Sequence, residues 1–512
     1  MLIKNSLVLD LTTTDPRGAT ASDIRVTGSR ITEIGANLTP AVGETVVDAA
    51  GKLVAPGFVN AHLHSQEALY KGRYDNLPLE LWMLYAYPIL GALKLPPELV
   101  YLRTMLVGLE SIRNGVTTVV DDVIEMPFQD RGQLEAVFRA YDDLGLRANV
   151  SGHIMNRPFI DTLPFGREMV PAELARRVDD APLIATKEYL DYSREAFARF
   201  HQPNGRLRYM LAPSGPQRCT DDLLAGAADL AREYDTALHI HVVETKMQAE
   251  TARLMYGQTM AEHLAAVGAL DRHTTFAHGV WLTEGDIALL GSTGASVAHN
   301  PLANLKLGAG VAPYRMLLEA GVTVGLGSDG LCNGSARLLD VVRLAALLHN
   351  VGTPDYNQWP TTTEILTSAT LGGARSTLVD QTTGSIEVGK AADLVIYDLA
   401  KIPFTPLNDL RNHLVYSEDG SSIETVIVDG RVVLREGKVQ TVDEVALLAE
   451  FREQAPAILA KHVNVEHDNA QFHAPVTEIH KWASAQPAEV NRYTRGRQAW
   501  APYGQDSAVF RV

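Results

Sequence analysis

Cysteine is nearly absent from this chain: there are two in 512 residues, Cys219 and Cys332, far apart in sequence. That count excludes a disulfide framework and a Cys-rich zinc site, each of which needs several thiols at close spacing. Clustered positive charge is missing as well. Lys and Arg number 45 against 61 Asp and Glu, a formal charge of −16, and the densest basic stretch is only Arg492, Arg495 and Arg497. A protein that neutralises phosphates gathers Lys and Arg on one surface, so neither nucleic acid nor an anionic membrane is expected as a partner. No window approaches the roughly 18 consecutive apolar residues of a membrane span. The opening MLIKNSLVLDLTTTDP is an apolar run broken at Asp10, too short for the core of a secretory signal. The expectation is a cytoplasmic protein.

What is present is the balance of a globular protein, 46% apolar and 21% charged residues. The length calls for one large domain with an accessory one. Residues 1–55 read as short strands at Leu2–Leu9, Ile24–Thr27, Arg30–Ile34 and Glu44–Asp48, separated by Gly, Pro and Asp turns. From Phe58 short apolar strands alternate with amphipathic helical stretches. The strands lie near Gly57–His64, Thr117–Asp121, Arg147–His153, Leu207–Ala212, Ala237–Val243, Thr274–His278, Ala295–His299 and Thr323–Ser328. Eight strand–helix units predict an α/β fold, a (β/α)8 TIM barrel, rather than an open sheet, which would want a glycine-rich phosphate loop after its first strand. After a helical stretch near Thr362–Leu378, strands return at Ser385–Val388, Asp393–Asp398, Ile423–Val428 and Arg431–Arg435. The predicted organisation is a small β-sandwich formed by both chain ends (1–55 plus 381–440), a barrel over 56–380, and a C-terminal helix with an extension over 441–512. The helix covers Glu444 to Lys461. The last 50 residues fit no period and are a candidate cover for a neighbouring surface.

The polar residues at the predicted strand ends carry the chemistry. The first strand ends in Asn60-Ala61-His62-Leu63-His64 and the fifth in His239-Ile240-His241-Val242-Val243-Glu244. The sixth ends in Ala277-His278-Gly279, the seventh in Ala298-His299-Asn300-Pro301 and the eighth in Gly327-Ser328-Asp329-Gly330. The C-terminal strand ends of such a barrel meet at one face, and side chains of period two put His62 and His64 on the same side. A lone strand-end histidine is usually a hydrogen-bonded barrel residue; several converging ones with an aspartate suit a divalent transition metal, zinc or iron. His239 has the parity of His241 but lies one layer deeper and is read as structural.

Pro56-Gly57-Phe58-Val59-Asn60-Ala61-His62-Leu63-His64 resembles the opening motif of the amidohydrolase superfamily, and the likeness continues through His241-Val242-Val243-Glu244-Thr245, His278-Gly279 and Gly327-Ser328-Asp329-Gly330. The run from His299 to Leu307, HNPLANLKL, is similar to the branch holding methylthioadenosine/adenosylhomocysteine deaminases, guanine deaminases and s-triazine hydrolases. Gly389-Lys390-Ala391-Ala392-Asp393-Leu394-Val395 resembles that superfamily's return into its small sandwich. The resemblance covers about residues 1 to 440. It implies one metal ion held by His62, His64, His241 and Asp329. The branch with two metals uses a lysine at the end of the fourth strand, where this chain has Leu211-Ala212-Pro213-Ser214-Gly215. It further implies that Asp329 accepts the proton of an activated water, that His278 orients the attacking oxygen and that Glu244 carries a proton to the leaving group. An isolated glutamate there would read as a surface-loop carboxylate. His299, Asn304, Gln66 and Trp82 are candidate substrate contacts, Trp82 being equally consistent with ordinary helix packing. His153 and Arg157, after the third strand, are further pocket candidates.

The related nucleoside deaminases carry a glutamate for the ribose hydroxyls shortly after the proline matching Pro88, and a histidine at the position of Ser214. This chain has Ile89-Leu90-Gly91 and Ser214 instead. The expected substrate is therefore a compact nitrogen heterocycle, such as an aminopyrimidine, purine base or s-triazine, losing ammonia, an amine or a halide. Hydrolysis of an exocyclic amide, carbamate or urea by the same site is the alternative, and a non-catalytic assembly role a third. The resemblance implies a small-molecule substrate and a homodimer or higher homo-oligomer. The zinc site of the cytidine-deaminase fold is excluded, because it requires a Pro-Cys-x-x-Cys pair.

Overall fold

The computed structural model describes residues 1–125, 129–203 and 205–493; Arg495 and Arg497 lie outside the described residues, as does the end of the C-terminal extension. The barrel strands are apolar runs buried on both faces, as parallel strands covered by helices must be. They are Phe58–His64, Val116–Asp121, Arg147–Ile154, Leu207–Pro213, Leu238–Val242, Thr274–His278, Ser296–His299 and a last strand in two pieces, Thr323–Leu326 and Asp329–Gly330. Every neighbouring pair is parallel. The first piece of the last strand pairs with the seventh, and the second piece pairs with the first strand, Asp329 opposite Leu63 and Gly330 opposite His64. The split closes the ring, confirming the barrel. It also sets Asp329 beside the His62–His64 pair. Glycine is required at the break, since a Cβ on Gly327 would stand 2.8 Å from that of His62.

The chain ends build a second sheet of nine strands. Its backbone path runs through Lys438–Val439, Arg431–Arg435, Ile423–Val428, Leu394–Asp398, Lys52–Pro56, Leu2–Leu9, Ala19–Thr27 and Arg30–Gly35, with Val46–Asp48 paired to Leu2–Leu9. The edge strand Arg30–Gly35 is tied back to Gly389–Ala391 by backbone hydrogen bonds. The sheet thus curls over a core of its own that includes Ile3, Ile24, Ile31, Val54, Leu394 and Ile427. Arg147, opening the third barrel strand, donates from Nε to Asp393 at 2.8 Å and from Nη2 to Asp429 at 3.0 Å. This buried pair joins barrel to sheet.

Three expectations are corrected. Ser385–Val388 is a turn, because Ser385 bonds to Glu387 and Lys390 and Gly389 takes a left-handed φ of 96°. Lys52–Pro56 is an additional strand. The C-terminal helix runs over Glu444–Asn469, past Lys461, and a further helix follows at His473–Ala485, where no period was expected. Phe472, Val476, Ile479 and Ala483 form its buried stripe and pack on Leu81, Leu84, Leu90, Ile160 and Met247. Burying Phe472, Val476 and Ile479 contributes about 1.5–3 kcal/mol each, and Ala483 less. Asn469 fixes the preceding turn, accepting from the backbone N–H groups of Ile89 and Leu90 and donating to Leu90 O at 2.8 Å. The extension therefore lies over the loops at the barrel mouth. No helix among the described residues is long and apolar enough to cross a membrane.

Candidate active site at the barrel mouth

The strand ends bring His62, His64, His241, His278 and Asp329 together, all buried. His64 Nδ1 donates to Asp122 O at 2.7 Å, which leaves its Nε2 bare. His62 Nδ1 is 2.8 Å from His239 Nε2, and its own Nε2 has no hydrogen-bond partner. His241 Nδ1 faces Asp122 Oδ2 at 3.7 Å. The remaining nitrogens converge: Asp329 Oδ1 is 3.3 Å from Nε2 of both His62 and His64, and His64 Nε2 is 3.3 Å from His241 Nε2.

These separations fit a cation. Zinc–ligand bonds of about 2.0–2.1 Å in a tetrahedron give ligand atoms about 3.3 Å apart. Asp122 is also close enough to join the three histidines. Its carboxylate is already engaged, accepting from Ser151 Oγ at 2.7 Å and facing His153 Nδ1 at 3.0 Å, so Asp329 is the better carboxylate for the set. Burial pushes His64 down, but Asp329, Asp122 and Glu67 together hold it up at about 9. A field that favours positive charge on one imidazole favours a divalent cation at the same place. His62, with burial dominant, falls to about 4 and is ready as a neutral ligand, whereas an ion bound here would take the place of the proton on His64.

Glu244 follows two residues after the strand that carries His241. Its Oε1 is unpaired and stands 3.6 Å from His278 Nδ1. Burial, reinforced by Asp329, raises its carboxyl well above the usual range. His278 Nδ1 lies 2.8 Å from Asn304 Oδ1, an acceptor that holds the ring proton there and turns Nε2 toward Asp329 Oδ2, 3.9 Å away. Both His278 (φ 73°) and Asp329 (φ 60°) sit in the left-handed region, a strained backbone that aims their side chains into the mouth.

A cleft opens on this cluster, its apolar wall made by Leu79, Trp82, Met83, Ile124, Met155 and Leu307. Of the sequence candidates, Trp82 and His153 line it, while Arg157 lines an adjoining outer cavity. The other contact candidates are placed elsewhere. His299 shares its strand face with Val297, and its ring lies near Tyr314 and His349 behind the barrel wall. Asn304 holds His278. Gln66 donates to Tyr87 OH at 3.1 Å instead of facing the cleft. Residues that sequence reasoning passed over also line it, Glu67, Tyr87 and Arg218, together with Ser214, which the sequence marked as standing where relatives have a histidine. Glu67 accepts from Tyr87 OH at 2.6 Å, and burial raises its carboxyl to about 7. The adjacent carboxylates Asp121-Asp122 at the second strand end were the available signal for that side of the site.

A closed parallel barrel with a buried His/Asp cluster suited to a divalent cation at its C-terminal face has the architecture of a metal-dependent barrel enzyme. The chain belongs to the amidohydrolase family, whose pattern matches residues 53–433. It is 33% identical over 470 residues to a 5'-deoxyadenosine deaminase of Methanosarcina mazei, covering 90% of this chain and 99% of that one. It is 32% identical over 465 residues to a 5-methylthioadenosine/S-adenosylhomocysteine deaminase of Desulforudis audaxviator, covering 90% and 99%. Among solved structures, the zinc complex of an atrazine chlorohydrolase from Arthrobacter aurescens superposes with a TM-score of 0.79 at 25% identity, covering 89% and 100%. A zinc-bound adenosine deaminase from Xanthomonas campestris gives 0.77 at 27% identity, covering 90% and 98%.

Proposed function

We propose that this chain is a metal-dependent hydrolase that deaminates, or displaces a comparable leaving group from, an electron-poor carbon of a compact nitrogen heterocycle. The observation that carries the reading is the convergence of three bare imidazole nitrogens and one carboxylate at a cleft that also holds Glu244 and His278. His62, His64, His241 and Asp329 would hold one zinc, or iron. When bound, such an ion makes water nucleophilic near neutral pH. The chain's own groups then manage protons. Asp329 accepts the water proton, and His278, its Nδ1 proton held by Asn304, keeps Nε2 available to orient the attacking oxygen. Glu244, whose carboxyl burial raises above the usual range, delivers a proton to the departing nitrogen. Water adds, the carbon–nitrogen bond breaks, and ammonia leaves.

The compact substrate is supported by what stands at the remote end. Leu90 is packed with Leu81, Leu84 and Ile160 and does not line the cleft, while Ser214 accepts from Arg218. Leu90 offers no polar anchor for ribose hydroxyls, and Ser214 is a short hydroxyl whose oxygen is already engaged by Arg218 and which keeps its O–H to donate. We extend the reading to a cytoplasmic homo-oligomer on composition and family resemblance alone. The test is ammonia release from a panel of aminopyrimidines, purine bases and s-triazines, with metal content measured on the same protein. Acid release from amides or carbamates, with no product from any heterocycle, would overturn the reading.

A further inference from the structure

Arg218 ends the short turn Pro216–Arg218 that follows the fourth barrel strand. It is 6% exposed and lines the cleft beside His241 and Glu244. Its Nη1 donates to Ser214 Oγ at 3.2 Å and its Nη2 lies 3.2 Å from Met83 Sδ, a weak acceptor, while Nε has no acceptor. Among the described residues no carboxylate comes within 4.0 Å of this guanidinium. Glu244 and Glu80 act on it only from farther off. Arg147, buried to the same degree, is held by two carboxylates.

A buried cation without a partner is costly, and a guanidinium presents planar donors matched to an oxyanion. Among the described residues lining the cleft Arg218 is the sole Arg or Lys, set against the carboxylates Glu67, Glu244 and Asp329, so this fixed cationic donor is a discriminating feature. Resting on the hydrolase reading above, we propose that Arg218 is a specificity-determining residue that binds an anionic oxygen of the substrate. The preferred heterocycles then carry a carboxylate or an ionisable ring-oxo group. The rival role, tuning Glu244 through its field, would affect all substrates alike.

The test uses metal-loaded enzyme and three matched aminopyrimidines: the unsubstituted ring, its carboxylate and its ring-oxo derivative. Dissociation constants of the three undeaminated rings, measured by calorimetry on the slow Glu244→Gln variant, read recognition independently of turnover. At least one anionic member is expected to be favoured over the parent, in wild-type kcat/KM and in this binding. Arg218→Gln should reduce that preference by about 10- to 100-fold, the scale of a charged hydrogen bond. The member that loses its advantage identifies the oxygen source. Arg218→Lys keeps the charge without the fork and should retain part of the preference, which provides a reading if the Gln variant does not fold. Equal losses for all three rings, or no preference in the wild type, would overturn the proposal. Absence of ammonia release with charge-dependent binding intact would instead count against the hydrolase reading.

Discussion

His239 Nε2 lies 2.8 Å from His62 Nδ1, in the layer of the barrel directly beneath the converging nitrogens. The contact fixes which nitrogen of His62 faces the mouth, and so acts on a metal through its ligand. Such supporting contacts typically govern about 10- to 100-fold in metal affinity. His239→Ala is expected to weaken zinc binding by that factor while leaving a saturable site, whereas His62→Ala removes a donor and should abolish stoichiometric occupancy. Competition with a fluorescent chelator separates the two. Equal zinc affinity in wild type and His239→Ala would show that barrel packing alone orients His62.

Glu244→Gln keeps the side-chain shape but cannot carry a proton. Turnover should fall by about 10²–10⁴-fold with metal content unchanged. His278→Ala should behave similarly, because its Nε2 stands 3.9 Å from Asp329 Oδ2, farther than the 3.3 Å at which Asp329 faces His62 and His64, although it is close enough to join His62 and Asp329 around an ion. Metal analysis beside steady-state rates checks both, and metal loss in the His278 variant would add it to the ligand set.

The terminal helix gives a prediction about stability. Ile479 is 1% exposed and packs in the cluster with Leu81, Leu90 and Met247. Ile479→Ala leaves a cavity between the extension and the mouth loops, at a cost of about 2–5 kcal/mol if that region unfolds with the barrel. Limited proteolysis alongside urea denaturation distinguishes global from local loss. An unchanged midpoint together with faster cleavage after residue 470 would mean that the helix opens on its own.

What was legible in the sequence follows from the kind of signal each feature leaves. Barrel strands are apolar runs of strand length, and His62, His64, His241 and Asp329 stand at their ends, so order alone brings them together. Roles that depend on a partner from another strand left no such trace. Asp122 looks like one of two acids at a strand end, His239 like a core histidine, and Arg218 like a solvated turn residue. His299 stood within a recognisable motif, yet strand alternation turns its ring toward Tyr314 and His349. The stripe Phe472, Val476, Ile479, Ala483 has helical spacing, but His, Trp and Pro residues between its members obscure the period.

Substrate choice is where relatives and structure pull apart. Relatives of about one-third identity carry the names of nucleoside deaminases. In this chain Leu90 is packed away from the cleft, its backbone clamped by Asn469. Ser214 is a short hydroxyl already accepting from Arg218, so of two positions that would grip a ribose one is apolar and the other keeps only its O–H to donate. A ribose bound here would leave hydroxyls unpaired, at about 1–3 kcal/mol for each buried group. Compact heterocycles should therefore exceed 5'-deoxyadenosine and methylthioadenosine by at least about 10²-fold in kcat/KM, equivalent to roughly 2.7 kcal/mol of transition-state binding. Parallel assays at equal substrate concentration, well below KM, decide the matter. If either nucleoside turns over near the best of the panel, another residue supplies the ribose contact. The outer cavity beside Arg157 and Glu125 is then the place to look, and the discrimination argued from Leu90 and Ser214 is lost while the barrel and its histidine cluster stand.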